Sequence, residues 1–401
     1  MSLQYGSSLG SIALPIKTKH KGLSTGATGS LAVVGVLSLC TTLTMTAAAF
    51  SLQKAMRSMA LFPFVVILLI VICFFLPLFG MVLMTSCFYD KNTLLALKLP
   101  TKYKTMQTMV LMGTCTAFSG VSIVFSNVHV APLLQSLLGP TILTIPFTLV
   151  ISLFFGARYN LLQVIAALVV LGGVLFALIP DALSKSKNDH TPESAIPSIV
   201  WNIIFIFASI PASINGLLVQ RELERRPTTS IPLLQFGGLC GQIPALLLLT
   251  SLNFVPHFGS TTPAAFPQHV SDALSCFVGH TPAPCLSETA LCECDRAWWL
   301  IGSVGVANVV VSLLQMALIK NASTLFTAMA SGVSTPLLFF VFSIKFLNGN
   351  DVSHPNWFQI VSLIIVVFGV CFYRFAQSKQ TSHEQNNEIE ENLNEKQPLI
   401  N

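Results

Sequence analysis

Ten runs of apolar residues, each roughly the 20 residues that a helix needs to cross a bilayer core, leave this chain few ways to fold. They lie at 30–52, 61–84, 106–126, 131–155, 159–180, 197–219, 231–254, 299–319, 323–344 and 356–376. Hydrocarbon leaves no water to pair a backbone N–H or C=O, so runs of this length are expected to be helices. Composition agrees: of 401 residues 53% are hydrophobic and only 9% charged, where soluble chains carry about a quarter. Mean hydropathy is +0.73. The fold class predicted is an all-α polytopic membrane protein with ten transmembrane helices. The net charge of +5 is scattered over short loops with no basic stripe, which argues against nucleic acid as a partner.

Ten spans put both termini on one side, and the basic residues say which. With cytosolic termini only Lys54, Arg57, Lys185, Lys187, Arg296 and Lys345 fall outside, against 15 of the 21 Lys and Arg inside. Residues 1–29 hold Lys17, Lys19 and Lys21 with no apolar core, so a cleaved signal peptide is not expected there. Being rich in Ser and free of acids, that arm also fits an organelle transit peptide, which leaves a plastid membrane as a minor alternative.

The chain repeats itself. At a shift of 196 residues Pro140 meets Pro336, Gln163 meets Gln359, Gly173 meets Gly369 and Phe176 meets Phe372. At a shift of 167, Gln53-Lys54 meets Gln220-Arg221. The organisation expected is a cytosolic arm 1–29, a five-helix repeat 30–181, a linker 182–196, a second repeat 197–376 and a polar tail 377–401. Five is odd, so the second repeat should sit inverted relative to the first, the design of many secondary transporters. The tail, rich in Asn, Gln and Glu, is expected to be disordered. Its Glu395, Leu399 and Ile400 fit an acidic dileucine sorting pattern of the kind clathrin adaptors read.

Four of the ten cysteines, Cys276, Cys285, Cys292 and Cys294, crowd into one hydrophilic loop, 255–298. Cysteines gathered like this pair where glutathione does not keep them reduced, so the loop should face a lumen or the outside. Four cysteines allow three pairings. A zinc site with His257, His269 or His280 is the rival chemistry, without the paired CxxC knuckles that usually mark one.

That loop runs into Cys292-Glu293-Cys294-Asp295-Arg296-Ala297-Trp298, and the chain continues to Ser323-Thr324 and to Lys345-Phe346-Leu347-Asn348-Gly349-Asn350-Asp351. With ten spans and a four-cysteine loop between the seventh and eighth, it resembles the chloroquine-resistance transporter family of the drug/metabolite transporter superfamily. The resemblance implies an inverted-repeat fold, a vacuolar or lysosomal membrane, and export of small solutes such as amino acids, peptides, glutathione-like thiols or amphipathic drugs. It also implies nested disulfides, Cys276–Cys294 outside Cys285–Cys292. The last two cysteines depart from the family in being spaced Cys-x-Cys.

No expected span interior contains Asp or Glu, which argues against a buried carboxylate as proton relay. Asp90, Asp181 and Asp351 at or beyond span ends are left to titrate at a cavity mouth for any proton coupling, and lumenal histidines such as His129, His257 and His354 would gain charge in an acidic lumen and bias the opening of the lumenal gate. Without charges, the groups expected to bind substrate are Gln135, Ser209, Ser213, Asn215, Gln242, Asn308 and Ser331, with Gln235 and Gln315 beside them. Amides and hydroxyls are costly in hydrocarbon and best tolerated against a wet cavity. Pro140, Pro211 and Pro336 are expected to act as hinges, because proline frees a helix carbonyl. Gly172-Gly173 and Gly237-Gly238 are expected as helix-packing points. No HExxH motif or intramembrane carboxylate pair occurs, so an enzyme is not expected, nor a metal or cofactor. A nucleotide-sugar or phosphate-ester carrier, which wants paired bases inside the membrane, is the alternative within transport, and a receptor or scaffold the alternative outside it. The partners expected are a small-molecule substrate, the lipid bilayer and a clathrin adaptor.

Overall fold

The computed structural model describes residues 27–59, 61–88, 103–129, 140–154, 159–176, 198–226, 230–255, 262–286, 294–342, 344 and 357–396. Its elements are helices: α1 (Ala27–Ser58), α2 (Pro63–Phe88), α3 (Tyr103–His129), α4 (Pro140–Phe154), α5 (Leu161–Phe176), α6 (Ser198–Phe207) and α7 (Ser209–Arg225). They continue with α8 (Ile231–Leu249), α9 (Phe266–Val278), α10 (Ala297–Asn321), α11 (Thr324–Gly332), α12 (Ser334–Phe342) and α13 (Trp357–Lys396). Among the described residues seven helical segments are long and apolar enough to cross a membrane, and Thr144–Phe154 and Leu161–Gly173 are shorter apolar helices. Their outer faces expose large apolar side chains such as Phe154, Leu161 and Leu248, a surface that water would not tolerate but hydrocarbon does.

The most extensive packings each join an element before residue 181 to one after residue 197: α3 with α8, α1 with α10, α5 with α13, and α4 with α7. The two stretches therefore share one bundle. Glycine makes this possible. A Cβ on Gly241 would lie 2.7 Å from the Met109 carbonyl oxygen and 2.8 Å from the Val110 Cα. One on Gly113 would run into the backbone of Gly238, Gly241 and Gln242, so α3 and α8 meet backbone to backbone. Gly173 and Gly369, matched by the 196-residue shift, seat each other's helices: the first faces Ile365 and Val366 of α13, the second Val170 of α5.

Two breaks have one cause. Helix α6 ends at Phe207 and α11 at Gly332, in each case four residues before a proline, Pro211 and Pro336. Proline has no N–H to give the carbonyl four residues back, so the helix stops there and restarts. Ala208 and Val333 fill the gaps with helical backbone angles, so the chain is interrupted without turning away. Proline alone does not suffice, since Pro77, Pro146 and Pro244 sit inside unbroken helices. Pro140 opens α4, where its missing N–H costs nothing.

Three expectations are corrected. The sixth span was bounded at 219, but α7 runs on to Arg225 and buries Glu222, 3% exposed, in an ion pair with Arg226 at 3.4 Å. The tail expected to be disordered is helical through Lys396: no Gly or Pro occurs between 377 and 397, and Glu, Gln and Lys propagate a helix already nucleated by the apolar segment. The cysteine-rich stretch is not all loop, because α9 forms within it.

Helix α9 turns one apolar face inward. Ala273 and Cys276 are buried, Phe266, Val270 and Phe277 pack beside them, and Gln268, Ser271 and Leu274 face out. It ends at Gly279, whose φ of +100° suits glycine, with the Gly279 N–H donating to the Cys276 carbonyl and that of His280 to Ser275. A disulfide joins Cys276 to Cys294 at the foot of α10, closing 18 residues with both cysteines buried. Cys285 is disulfide-bonded too, and Cys292, its expected partner, lies outside the described residues. The three sulfurs are close enough to suggest a metal, but a disulfide sulfur is no thiolate ligand.

Candidate binding cavity

A cavity of about 410 Å³ opens inside the bundle. It lies between two apolar clusters. One, containing Phe62, Phe125, Trp201, Leu246 and Ile301, fills the end that carries α9 and the disulfide. The other, built from Met112, Val219, Leu223, Leu234, Met316 and Ile319, forms part of the cavity wall at the opposite end.

Each helix around it contributes a stripe at helical period, since residues three and four apart share a face. Helix α3 supplies Thr116, Ser119, Gly120 and Ile123; α8 supplies Gln235, Gly238, Leu239 and Gln242. From α10 come Asn308, Ser312, Gln315 and Ile319, and from α11 Thr324, Thr327, Ala328 and Ser331. Met45 of α1, Thr144 and Thr148 of α4, and Ser213, Asn215 and Gly216 of α7 complete the wall. The described lining holds five amides and nine hydroxyls and no charged side chain.

Some of these groups are satisfied within the protein. Thr116 donates to the Met112 carbonyl at 2.9 Å, Thr327 to Ser323 at 2.9 Å, and Asn308 Nδ2 to Val304 at 2.9 Å. Ser213 donates to the Ser209 carbonyl at 2.9 Å, and Gln315 Nε2 lies 3.3 Å from the Met45 sulfur. Others are free. Thr148 and Ser331 are 0% and 3% exposed, and neither hydroxyl has a partner among the described residues. Asn215, Gln235 and Gln242 make no side-chain hydrogen bond there either. A buried hydroxyl left unpaired costs about 1–3 kcal/mol, which a bound solute or water would recover.

One edge of the cavity is tied. Thr324 donates its N–H to Gln220 Oε1 at 3.0 Å and its hydroxyl to the same oxygen at 2.7 Å, with Gly216 O at 3.1 Å. Gly216 leaves room for it, since a Cβ there would lie 2.7 Å from the Thr324 methyl.

Of the residues expected to bind substrate, Ser213, Asn215, Gln242, Asn308 and Ser331 meet in this one cavity. Ser209 is fully buried one turn away and reaches it only through its carbonyl. Gln135 lies outside the described residues, as do Glu395's neighbours Leu399 and Ile400. The expected packing glycines divide: Gly173 and Gly237 are tight contacts, Gly238 lines the cavity while its backbone abuts Gly113, and at Gly172 a Cβ would meet nothing among the described residues. Thr116, Ser119, Thr144, Thr148, Ser312, Thr324 and Thr327 were missed, although their spacing in stripes with Gly and Ala was there to find.

Comparison with known proteins places these features. Residues 34–373 match the profile of a family described as CRT-like, chloroquine-resistance transporter-like. Crt homolog 1 of Dictyostelium discoideum is 26% identical over 322 residues, covering 75% of this chain and 65% of that protein. The chloroquine resistance transporter of Plasmodium falciparum is 24% identical over 261 residues, covering 61% and 58%. The chain thus spans under two thirds of the length of these relatives. A solved crystal structure resembles the fold with a TM-score of 0.51 at 11% identity, covering 87% of this chain and 99% of that one.

Proposed function

The chain belongs to the chloroquine-resistance transporter-like family, and on that premise we propose that it is a secondary active carrier of small organic solutes, working by alternating access. One observation carries this: a cavity in a bundle of apolar helices whose described lining holds amides and hydroxyls and no charge, with two buried hydroxyls that have no partner among the described residues. Polar groups left open in hydrocarbon are rare outside a solute pathway. The helices interrupted ahead of Pro211 and Pro336 both supply the wall, as interrupted helices do in such carriers.

The carrier has ten spans in two inverted repeats, and the reciprocal seats of Gly173 and Gly369 support that symmetry. Both termini face the cytosol and the disulfide-bearing segment faces the lumen of a vacuole- or lysosome-like organelle, as the positive-inside bias and oxidised cysteines suggest. It exports amino acids, peptides, glutathione-like thiols or amphipathic drugs from that lumen, and its tail signal recruits a clathrin adaptor. The uncharged lining speaks against the nucleotide-sugar alternative, whose phosphates would find no Arg or Lys there.

Purified full-length protein in liposomes tests this. Saturable uptake or exchange of labelled amino acids, glutathione or dipeptides, above empty liposomes and measured with and without a pH gradient, is the expected result. Absence of saturable flux for all of them would rule the carrier function out.

A further inference from the structure

Taking the carrier function above as given, we propose that the cavity selects net-neutral solutes rich in hydrogen-bonding groups and rejects organic cations and anions of the same size. Every described lining side chain is an amide, a hydroxyl, a methionine, a glycine or aliphatic. The stretch from 105 to 157, which carries α3 into α4 through residues outside the described set, contains no Asp, Glu, Lys or Arg. Glu222 is the only charged residue buried among the described residues; it sits one turn past Val219 and is already ion-paired with Arg226. A solute of net charge would shed its water here and find no opposite charge to replace it. A neutral solute, or a zwitterion that carries its own counter-charge, pays far less.

Hydrogen bonds supply the positive selection. The Thr148 and Ser331 hydroxyls, almost fully buried and without partners, come from α4 and α11, which pack against each other and present both residues to the same space. The amides of Asn215, Gln235 and Gln242 join them, each offering a donor and an acceptor. A solute hydroxyl or carboxamide lodged here satisfies groups that no described residue satisfies. At about 410 Å³ the space falls toward the small end of ligand pockets, so within the solute classes proposed above the cavity narrows the range to neutral amino acids and short peptides and sets aside net-anionic thiols and bulky cationic drugs.

Glutamine, lysine and glutamate are close in size and differ in charge at pH 7, as are Ala-Gln, Ala-Lys and Ala-Glu. Uptake of both sets into liposomes holding the full chain should be saturable for the glutamine members and at least tenfold lower in kcat/KM for the charged ones. Thr148→Val and Ser331→Ala should each raise the half-saturation concentration for the neutral members about three- to tenfold, the value of one hydrogen bond. Ser331→Asp supplies the missing charge and should admit lysine. Lysine or glutamate carried as well as glutamine by the unaltered protein would overturn the selectivity while the carrier function stands. Unchanged half-saturation in both hydroxyl variants would overturn the role of the hydroxyls. No saturable flux for any member would bring down the carrier function and this selectivity together.

Discussion

The cavity and the disulfide-bearing end of the bundle are built from opposite materials. Around the cavity, helices touch backbone to backbone at Gly113 and Gly241, and some hydroxyls and amides, Thr148 and Ser331 among them, have no partner among the described residues. At the other end α9 touches its neighbours through side chains: Phe266 lies edge-on to Phe254 with ring centres 5.4 Å apart, His269 packs on Phe62 at 4.9 Å, and Cys276 is bonded to Cys294. The first region has no slack in its backbone and open valences in its side chains. In the second the side chains are closed and a covalent link supplies what a small apolar face cannot. Rigidity under the cavity therefore comes from the absence of side chains, and at the disulfide end from their interlocking.

The sharpest way to break this comparison is to put a side chain where there is none. Gly113→Leu would drive its side chain into the α8 backbone, which cannot give as a rotamer can. A loss above about 4 kcal/mol is expected, enough to remove folded protein; normal yield and an unchanged melting temperature in detergent would show that α3 and α8 do not depend on the close approach. Next in size is the disulfide. Replacing Cys276 and Cys294 together by Ser should cost about 3 kcal/mol for a loop of this length. Thermal stability should fall while the half-saturation of transport stays, and a shift in half-saturation would join the two regions functionally.

The smallest effect concerns pH. Burial beside Phe62 holds the His269 pKa below its ordinary 6.5, and Asp272 draws it partly back. The unfolded segment binds the proton first, so stability is full above that ordinary value and declines as pH falls from about 6.5 toward the depressed folded value, then levels off. Proteolysis or hydrogen exchange of residues 262–286 should accelerate on going from pH 7.5 to pH 5, and His269→Gln should flatten the dependence. An equal pH step in that variant would mean another group is responsible.

That the apolar runs form membrane-length helices was plain in the sequence, because hydrocarbon imposes length and apolarity together; seven such helices stand among the described residues. What lay between them was less plain. Helix α9 was hidden because its apolar residues, Phe266, Val270, Ala273 and Phe277, occupy one face only and lie among Pro, His and Ser. The amides of the cavity could be named in advance, since no amide in a span can be satisfied by its own helix in full. Of the cavity hydroxyls only Ser213 and Ser331 were named: Thr41, Thr46 and Thr114 each bond the carbonyl four residues back, nothing next to Thr148 in the sequence separates it from them, and only the spacing of a whole stripe marks it. Glu222 escaped notice because the span was bounded where apolarity ends, whereas α7 runs on to Arg225 and stops only at Arg226, the residue before Pro227.

The contact at Gly113 divides α3 unequally. It lies ten residues from Tyr103 and sixteen from His129, arms of about 15 Å and about 24 Å at the rise of an α-helix. Where two backbones touch, neither can slide sideways past the other, and the motion left to them is a see-saw about that point. A given tilt then swings the His129 end about 1.6 times as far as the Tyr103 end, a lever with its short arm at the Tyr103 terminus.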